Sequence, residues 1–226
     1  MIVLIGTIHA KPIEEDVKRF VQTLEGWHVA IELDEMRLKA LLEKKTNRRP
    51  HSVLMGALYY VEKIIAEKGF GESIGIDMLS AYNFALENGL LISLIDKPIE
   101  VTIIELANIS MFEKIKLLGE TFLFLILSQL KRSGDMGLGE LVSNEKTVIS
   151  LLKKFQKRYP KMYEILVKGR DNHLMRRILE LEEKYGNVLA FLGLAHVINI
   201  KEIFKEMGRK IEKIDEIKST IAYRVY

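Results

Sequence analysis

Two histidines lie in the same four-residue motif, Gly-x-x-His, at opposite ends of the chain. An apolar run at 2–5 precedes Gly6 and His9, and a second run at 188–192 precedes Gly193 and His196. A continuous apolar run of this length is typical of a strand covered on both faces. Because ligands of open α/β sheets bind beyond the carboxyl ends of the strands, both imidazoles could face one crevice, and we expect them within about 10 Å of each other.

Carboxylates follow the other predicted strands. Glu32 ends an apolar run, and Asp77 and Asp96 come just after two more. Two imidazoles and a carboxylate form a ligand set suited to Zn, Mn, Co or Fe, with open positions that favour hydrolysis. Structural interpretations remain open: a strand-end histidine can be a satisfied polar residue, Asp77 can cap a helix, and Asp96 can fix a turn. Glu32 needs a partner, because a carboxylate ending an apolar strand is costly unless paired or ligated.

Strands and helices alternate along the chain, which predicts an α/β fold with a mixed, mostly parallel sheet flanked by helices. We expect helices over about 12–25, from Asp34, from Pro50 to about 69 and from Asp77 to Gly89. A long helical insert follows at about 100–184, with breaks at 133–135 and at Pro160. The predicted strands cover residues 1–5, 28–33, 73–76, 90–95 and 187–192, with two edge strands at 210–214 and 221–226.

Composition limits the classes of protein. The formal net charge of +3 arises from 34 basic and 31 acidic residues that are interspersed, so we expect no nucleic-acid surface. The two matching histidine turns would have to meet, which favours one domain over residues 1–226. The chain has no cysteine and no signal peptide at its start, which fits a cytoplasmic protein. Abundant Lys, Glu and Ile with few glutamines are typical of thermophile proteins.

One segment of the insert is strongly apolar. Residues 121–127 consist of one threonine, two phenylalanines, three leucines and an isoleucine, yet they fall short of the roughly 20 apolar residues that a spanning helix needs. The pattern therefore predicts no transmembrane segment and a buried helix. The alternative is that this helix docks on a membrane or on a second copy of the chain, which would make the insert an oligomer contact.

Six segments, in order over about residues 1–200, resemble the TraB family, which belongs with the PrgY and GumN proteins and more remotely with Tiki, ChaN-like and erythromycin-esterase-like proteins. They are Gly6–His9, Val29–Arg37, Asp96–Thr102, Phe112–Leu118, Arg170–Met175 and Gly193–Val197. The resemblance implies a mixed sheet flanked by helices, as in the esterase and ChaN-like relatives. It also implies a polar site built from the two motif histidines and from strand-end carboxylates.

Matched residue by residue, the resemblance assigns family positions to His9, His196, Glu32 and Arg37, and to the pair formed by Arg170 and Asp171. Tiki proteins are metal-dependent proteases, ChaN-like proteins are associated with haem or iron, and the esterases cleave a lactone. Three positions depart from the family pattern. Gly169 and Asp77 stand where glutamates are usual, and Lys97 replaces an arginine. Many archaeal members also continue into a membrane-spanning part, whereas we expect this chain to be soluble.

These residues predict a metal-assisted hydrolase of an amide or ester, most plausibly in a peptide. His9 and His196 would hold Mn, Co or Zn with Glu32 or Asp77, and the carboxylate not bound to metal would be the general base.

The arginines and the remaining carboxylates would handle the substrate. Arg37 and Arg170 would bind an oxyanion or a substrate carboxylate, with Asp96 and Asp171 in the substrate site and Arg170 carried on an insert that caps the crevice. For the arginines the alternative is an ion pair with Asp34 and Asp171. For the protein as a whole, the alternative is a module that binds a peptide, haem or iron without turnover.

Overall fold

A mixed sheet organises the chain. The computed structural model describes residues 1–7, 17, 21, 23–43, 56, 75–130, 145–217 and 220–226, without the side chains of 121–130 and 215–220. These ranges contain the strands β1 (Ile2–Thr7), β2 (Trp27–Ile31), β3 (Leu91–Leu94), β4 (Asn187–Gly193), β5 (Ile211–Ile217) and β6 (Thr220–Val225). Their order in the sheet is β3-β2-β4-β1-β6-β5.

The first four strands of that order are parallel, and β6 and β5 are antiparallel additions beyond β1. The prediction of a mixed, mostly parallel α/β sheet is therefore confirmed. The register pairs Thr7 with Gly193, so the two Gly-x-x-His motifs leave adjacent strands at the same edge. The prediction that 221–226 forms an edge strand is wrong, since β6 lies between β1 and β5 and is largely buried.

Helices cover both faces of the sheet. Their bounds are α1 (Glu35–Leu42), α2 (Ile76–Glu87), α3 (Ile99–Ala107), α4 (Met111–Leu130), α5 (Glu145–Arg158), α6 (Pro160–Tyr163), α7 (Gly169–Tyr185) and α8 (Leu194–Glu206). A π-helical turn at Glu164–Lys168 joins α6 to α7. Within the described ranges, no helix is long and apolar enough to cross a membrane.

Alternate residues of β1 enter two separate cores because successive strand side chains point to opposite faces. Ile2 and Leu4 pack with α7 and α8 on one face, and Val3 and Ile5 pack with α2 on the other. All four are fully buried. The central strands therefore read as continuous apolar runs, as expected for a sheet covered on both sides.

The helical insert is divided between a layer of the main core and a separate cluster. In α7, Leu174 and Ile178 pack on the sheet. Helices α3, α4 and α5 instead meet α6 and the π-turn in a smaller cluster that includes Leu106, Tyr159 and Met162. The last part of the insert is thus a helix layer packed on the sheet, and Arg170 lies at the start of that layer.

The predicted elements near residues 12–25 and 73–76 need adjustment. Residues 23–25 are not helical, and the remaining helical prediction falls mostly outside the described residues, as do the helix from Pro50 to 69 and the break at 133–135. The strand at 73–76 is wrong where it is described. Gly75 has a left-handed backbone with φ of 82° and caps α2, which begins at Ile76. The predicted helix start at Asp34 and the break at Pro160 are confirmed.

A buried lysine connects the insert to the core. Lys201 in α8 places its Nζ 2.5 Å from Glu145 Oε1, and Tyr223 Oη in β6 donates to Glu145 Oε2 at 2.9 Å. The lysine and glutamate side chains are only 9% and 23% exposed. Both ionic groups are largely removed from water, so removing one leaves the other without its compensating charge.

We predict that Lys201→Met lowers the free energy of unfolding by about 2 kcal/mol, because Glu145 would keep a partly buried charge. The matched control is Lys205→Met, one turn later in α8. Its ion pair with Glu202 is about half exposed on both sides and should change stability by less than about 0.5 kcal/mol. Urea titration of both variants measures the difference, and equal losses would contradict a structural role for the buried pair.

Candidate functional site

The carboxyl ends of the four parallel strands bring polar groups to one edge. Asp96 follows β3, Glu32 follows β2, His196 lies in the first turn of α8 after β4, and Thr7 ends β1. Backbone hydrogen bonds fix this arrangement, since Glu32 N donates to Phe191 O at 3.0 Å and Asp96 N donates to Leu33 O at 3.2 Å. The topology therefore aligns residues that are far apart in sequence.

Glu32 is held by one donor on each carboxylate oxygen. Gly193 N donates to Oε2 at 2.8 Å, and Arg170 Nη2 donates to Oε1 at 2.6 Å. Glu32 is buried, with 7% of its surface exposed. The partner that the sequence required for this carboxylate is therefore an arginine of α7, together with a backbone amide of the second motif.

Asp96 receives two guanidinium groups. Arg170 donates to Asp96 through Nε at 3.1 Å and Nη2 at 2.7 Å, and Arg37 donates through Nη1 at 2.7 Å. Lys97 N adds a backbone donor at 2.8 Å. Burial alone would raise the pKa of the Asp96 carboxyl, but Arg170 and Arg37 favour the carboxylate more strongly and hold its pKa below the ordinary value.

His196 lies between two carboxylates. Its Nδ1 is 2.6 Å from Asp171 Oδ1, and its Nε2 is 3.4 Å from Glu32 Oε1. A carboxylate can only accept, so the proton on Nδ1 points at Asp171. Burial alone would lower the pKa of His196, but Glu32 and Asp171 together outweigh burial and the opposing charge of Arg170, and the pKa is raised.

The contact between His196 Nε2 and Glu32 Oε1 decides what the site can hold. In the neutral imidazole Nε2 would present a lone pair to a carboxylate oxygen, which is unfavourable unless a cation lies between them. That cation can be a proton on Nε2 or a metal ion. Two ligands at about 2.0–2.2 Å from one ion lie roughly 3.0–3.4 Å apart when they are neighbours in its coordination shell.

The residues present therefore fit two neighbouring metal ligands. Asp171 on Nδ1 supplies the carboxylate partner that metal-binding histidines commonly have. Among the residues that the structure describes, no group of three His, Cys, Asp or Glu suited to a metal is found. His9, the predicted further ligand, lies outside those residues. Its expected distance of about 10 Å from His196 therefore stays a prediction.

Asp77 reaches the same edge from the opposite layer of helices. It lies in the first turn of α2, is 1% exposed, and accepts from Thr7 Oγ1 at 2.6 Å. Thr7 is the register partner of Gly193, whose amide holds Glu32. Asp77 does not cap its helix, because Gly75 occupies the cap. Its carboxylate is thus buried at the end of β1, beside the first motif.

Asp96 and Asp171, predicted to bind substrate, are both buried and accept from protein donors on both oxygens. In Asp171 the second oxygen accepts from Asn199 Nδ2 at 2.8 Å. Both arginines do form buried ion pairs, as the alternative interpretation supposed, but their partners are Asp96 and Glu32 rather than Asp34 and Asp171. Asp34 accepts instead from the backbone amide of Arg37 at 2.8 Å as the cap of α1, and Asp171 binds His196.

Sequence reasoning missed Asn199 and the Gly193 amide. Asn199 lies three residues after His196 in α8, on the same side of the helix, and this spacing was the available signal. The amide of Gly193 carries no side-chain signal at all. Tyr163 extends this group of hydrogen-bonded residues, because its hydroxyl hydrogen-bonds Asn199. Burial, and then the nearby Asp171, raise the pKa of Tyr163 above its ordinary value.

The π-turn before α7 explains why glycine occupies position 169. Gly169 N donates to Glu164 O across the wide turn, and a Cβ on Gly169 would lie 2.9 Å from that oxygen. Real Cβ atoms essentially never approach an oxygen this closely, so a larger residue would displace the turn that leads into Arg170. The local backbone therefore favours glycine at this position, where the resemblance led us to expect a glutamate.

Comparisons with known proteins find similarity over most of the chain. Residues 1–213 match the model of the TraB/PrgY/gumN family. An uncharacterized protein of the archaeon Methanocaldococcus jannaschii is 31% identical over 96% of this chain, and the chain spans 57% of that relative's length. No solved structure matches the chain.

We predict that Gly169→Ala lowers the free energy of unfolding by about 1–3 kcal/mol, as overpacking does, although alanine is normally favoured over glycine in helices. Lys168→Ala, at the exposed preceding position, is the control and should remain within about 0.5 kcal/mol of wild type. Thermal and urea unfolding measure both. A stabilised Gly169→Ala variant would mean that the π-turn does not restrict this position.

We predict a pH-dependent contribution from Asp96. Because its folded-state pKa is lowered, its stabilisation is complete above about pH 5 and is lost as the pH falls below about 4 toward the folded-state value. Asp96→Asn should be less stable than wild type at pH 7, and the gap should narrow as the pH falls. Urea titrations from pH 7 to 3 test this, and a gap that stays constant or widens would contradict it.

Proposed function

The chain belongs to the TraB/PrgY/gumN family, and we propose that it is a hydrolase that cleaves an amide or ester bond, in a peptide or a small molecule, at the carboxyl edge of the sheet. The observation that supports this most is the approach of His196 Nε2 to Glu32 Oε1 at 3.4 Å. The two groups lie close enough for one cation to bind both. We propose that His196 and Glu32 hold a divalent ion there, with His9 as a further ligand.

Mn, Co or Zn bound at this point would polarise the scissile carbonyl and lower the pKa of a bound water. The protein's own contribution is orientation. Asp171 fixes the Nδ1 proton of His196, which leaves the Nε2 lone pair directed at the site. Arg170 and the Gly193 amide fix the Glu32 carboxylate, and its oxygens keep lone pairs for a further partner.

Arg37 is the better candidate for contact with substrate. Arg170 is engaged by Glu32 and Asp96, and its side chain is 19% exposed. The Arg37 side chain is 29% exposed and reaches Asp96 through Nη1. Its remaining N–H groups could bind a substrate carboxylate or the oxyanion that develops during attack on the carbonyl. Asp96 would then position both arginines.

Asp77 is the proposed general base. It lies at the end of β1 on the side opposite α7, and Thr7 Oγ1 orients its carboxylate. Since Glu32 is assigned to the metal, Asp77 is the carboxylate left to accept a proton from the attacking water and pass it to the leaving group. Asp77 as a ligand in place of Glu32 is the alternative assignment within the same mechanism.

The test combines metal content with turnover. Purified protein is stripped with a chelator and reloaded separately with Mn, Co or Zn, and the bound ion is quantified by mass spectrometry. Hydrolysis is then followed with a quenched fluorescent peptide library and with nitrophenyl esters. We expect about one ion per chain and activity that disappears with chelator and returns with metal.

Variants test the proposed role of each residue. Glu32→Gln keeps the shape but removes the charge, so we predict folding to survive while metal affinity or turnover falls by at least about 10-fold. Asp171→Asn should weaken metal binding by about 10–100-fold. His28→Gln is the control: His28 is the second residue of β2, near the other end of the strand from Glu32, and activity per folded molecule should not change.

The outcomes separate the classes of protein. Loss of folding in Glu32→Gln, with unchanged activity per folded molecule, would reduce Glu32 to a structural partner. A protein that binds no ion and cleaves no substrate would refute the proposal. A Soret band after incubation with haem, or peptide retention without cleavage, would instead identify a binding protein.

A further inference from the structure

Large apolar side chains of α3 and of the first turns of α4 lie open to solvent. Its members are large hydrophobic residues that the helices leave unburied: Val101, Ile104, Met111, Phe112 and Ile115, exposed by 39%, 62%, 66%, 79% and 62%. We refer to these five residues as the α3–α4 face. Side chains of this size expose on the order of 500 Å² together, which is the size of patch that marks interaction sites on proteins.

The best-exposed residues of these two helices are mostly uncharged. None of the exposed residues between 101 and 119 is charged. Two lysines of α4 turn onto backbone carbonyls instead, since Lys114 Nζ donates to Ala107 O at 2.6 Å and Lys116 Nζ donates to Arg158 O at 3.1 Å. The most exposed part of this surface is apolar, so we expect the partner to present an apolar surface of its own.

The spacing on α4 indicates a helical partner. Phe112, Ile115 and Gly119 follow each other at intervals of three and four residues, and apolar residues at 122 and 126 continue the same intervals in the sequence. Such a narrow 3-4 stripe is the seam of paired helices. Gly119 lies midway between positions 112 and 126, and a Cβ on it would meet open space. Two helices can therefore approach closely at this residue.

We propose that the α3–α4 face binds a second copy of the chain, with two α4 helices crossing antiparallel at Gly119 about a two-fold axis. This crossing places position 112 of one copy opposite position 126 of the other. An identical apolar stripe centred on a glycine is its own complement, as a two-fold interface requires. The α3–α4 face supplies much of the roughly 800 Å² per subunit that a standard interface buries, and the flanking residues supply the rest.

The absence of cysteine from the chain permits a direct test. Gly119→Cys introduces a single thiol on the proposed axis. Helix axes about 8–10 Å apart, with Cα atoms about 2.3 Å from each axis, bring the two Cα atoms to roughly 3.5–5.5 Å, a range that overlaps the Cα separations of disulfides. Under mild oxidation we expect covalent dimer in roughly 10-fold or greater excess over Gln156→Cys, an exposed control on α5.

A second measurement does not depend on the disulfide. Sedimentation equilibrium should give twice the 26.0 kDa chain mass for wild type and the chain mass for Phe112→Asp. Leu151→Asp, at a position on α5 that is 47% exposed, is the matched control and should remain dimeric. Circular dichroism checks that both variants are folded.

Three results would overturn the proposal. The wild type could sediment as a monomer at every concentration, without excess cross-linking of the Gly119→Cys variant. The wild type could float with phosphatidylcholine and phosphatidylglycerol vesicles through Phe112, which would assign the α3–α4 face to a membrane. A monomer whose introduced thiol resists modification until unfolding would assign the face to another segment of the same chain.

Discussion

The candidate site is arranged around one interaction, the compensation of the buried negative charge of Glu32. A carboxylate in the interior costs several kcal/mol unless opposite charge and hydrogen bonds compensate it. Arg170 provides that compensation, but Arg170 is itself only 19% exposed and needs Asp96. Asp96 in turn is shared with Arg37. Each buried charge thus requires the next, and the network ends only where Arg37 reaches solvent.

On the other side of Glu32 the same alternation continues through His196 to Asp171. From Arg37 to Asp171 the formal signs alternate along six side chains when His196 is protonated. This explains why a buried imidazole has a raised pKa despite the cost of burial. In the proposed metal-bound form, an ion between His196 and Glu32 would take the place of the imidazole's second proton in that alternation.

Periodicity and composition predicted the sheet well because its central strands are covered on both faces. The runs at 2–5 and 188–192 are apolar throughout, and each is followed by a glycine at or next to the last residue of its strand. The apolar triplet at 74–76 misled the prediction, since Gly75 uses its left-handed conformation to cap a helix rather than to end a strand. The central position of β6 depends on antiparallel pairing with β1, which its sequence does not encode locally.

The residues that meet at the carboxyl edge of the sheet were easier to name from the sequence than their partners. Glu32, Asp96, Arg170 and His196 could be named from strand ends and family motifs, but Asp96 is 74 residues from Arg170 and their pairing depends on the order of the strands. The sequence-adjacent aspartates Asp34 and Asp171 were plausible partners for the arginines only while the direction of the side chains was unknown. In the helices, Asp171 lies about 100° around the axis from Arg170 and faces His196 instead.

The π-turn at Glu164–Lys168 has a consequence for chain length. A π-turn holds one more residue than the α-helical turn it replaces, so deletion of a single residue there would restore an ordinary helix. The helix would tolerate this change, but every residue before the deletion would rotate by about 100° relative to α7. The insert helices would then face a different direction while α7 stayed on the sheet.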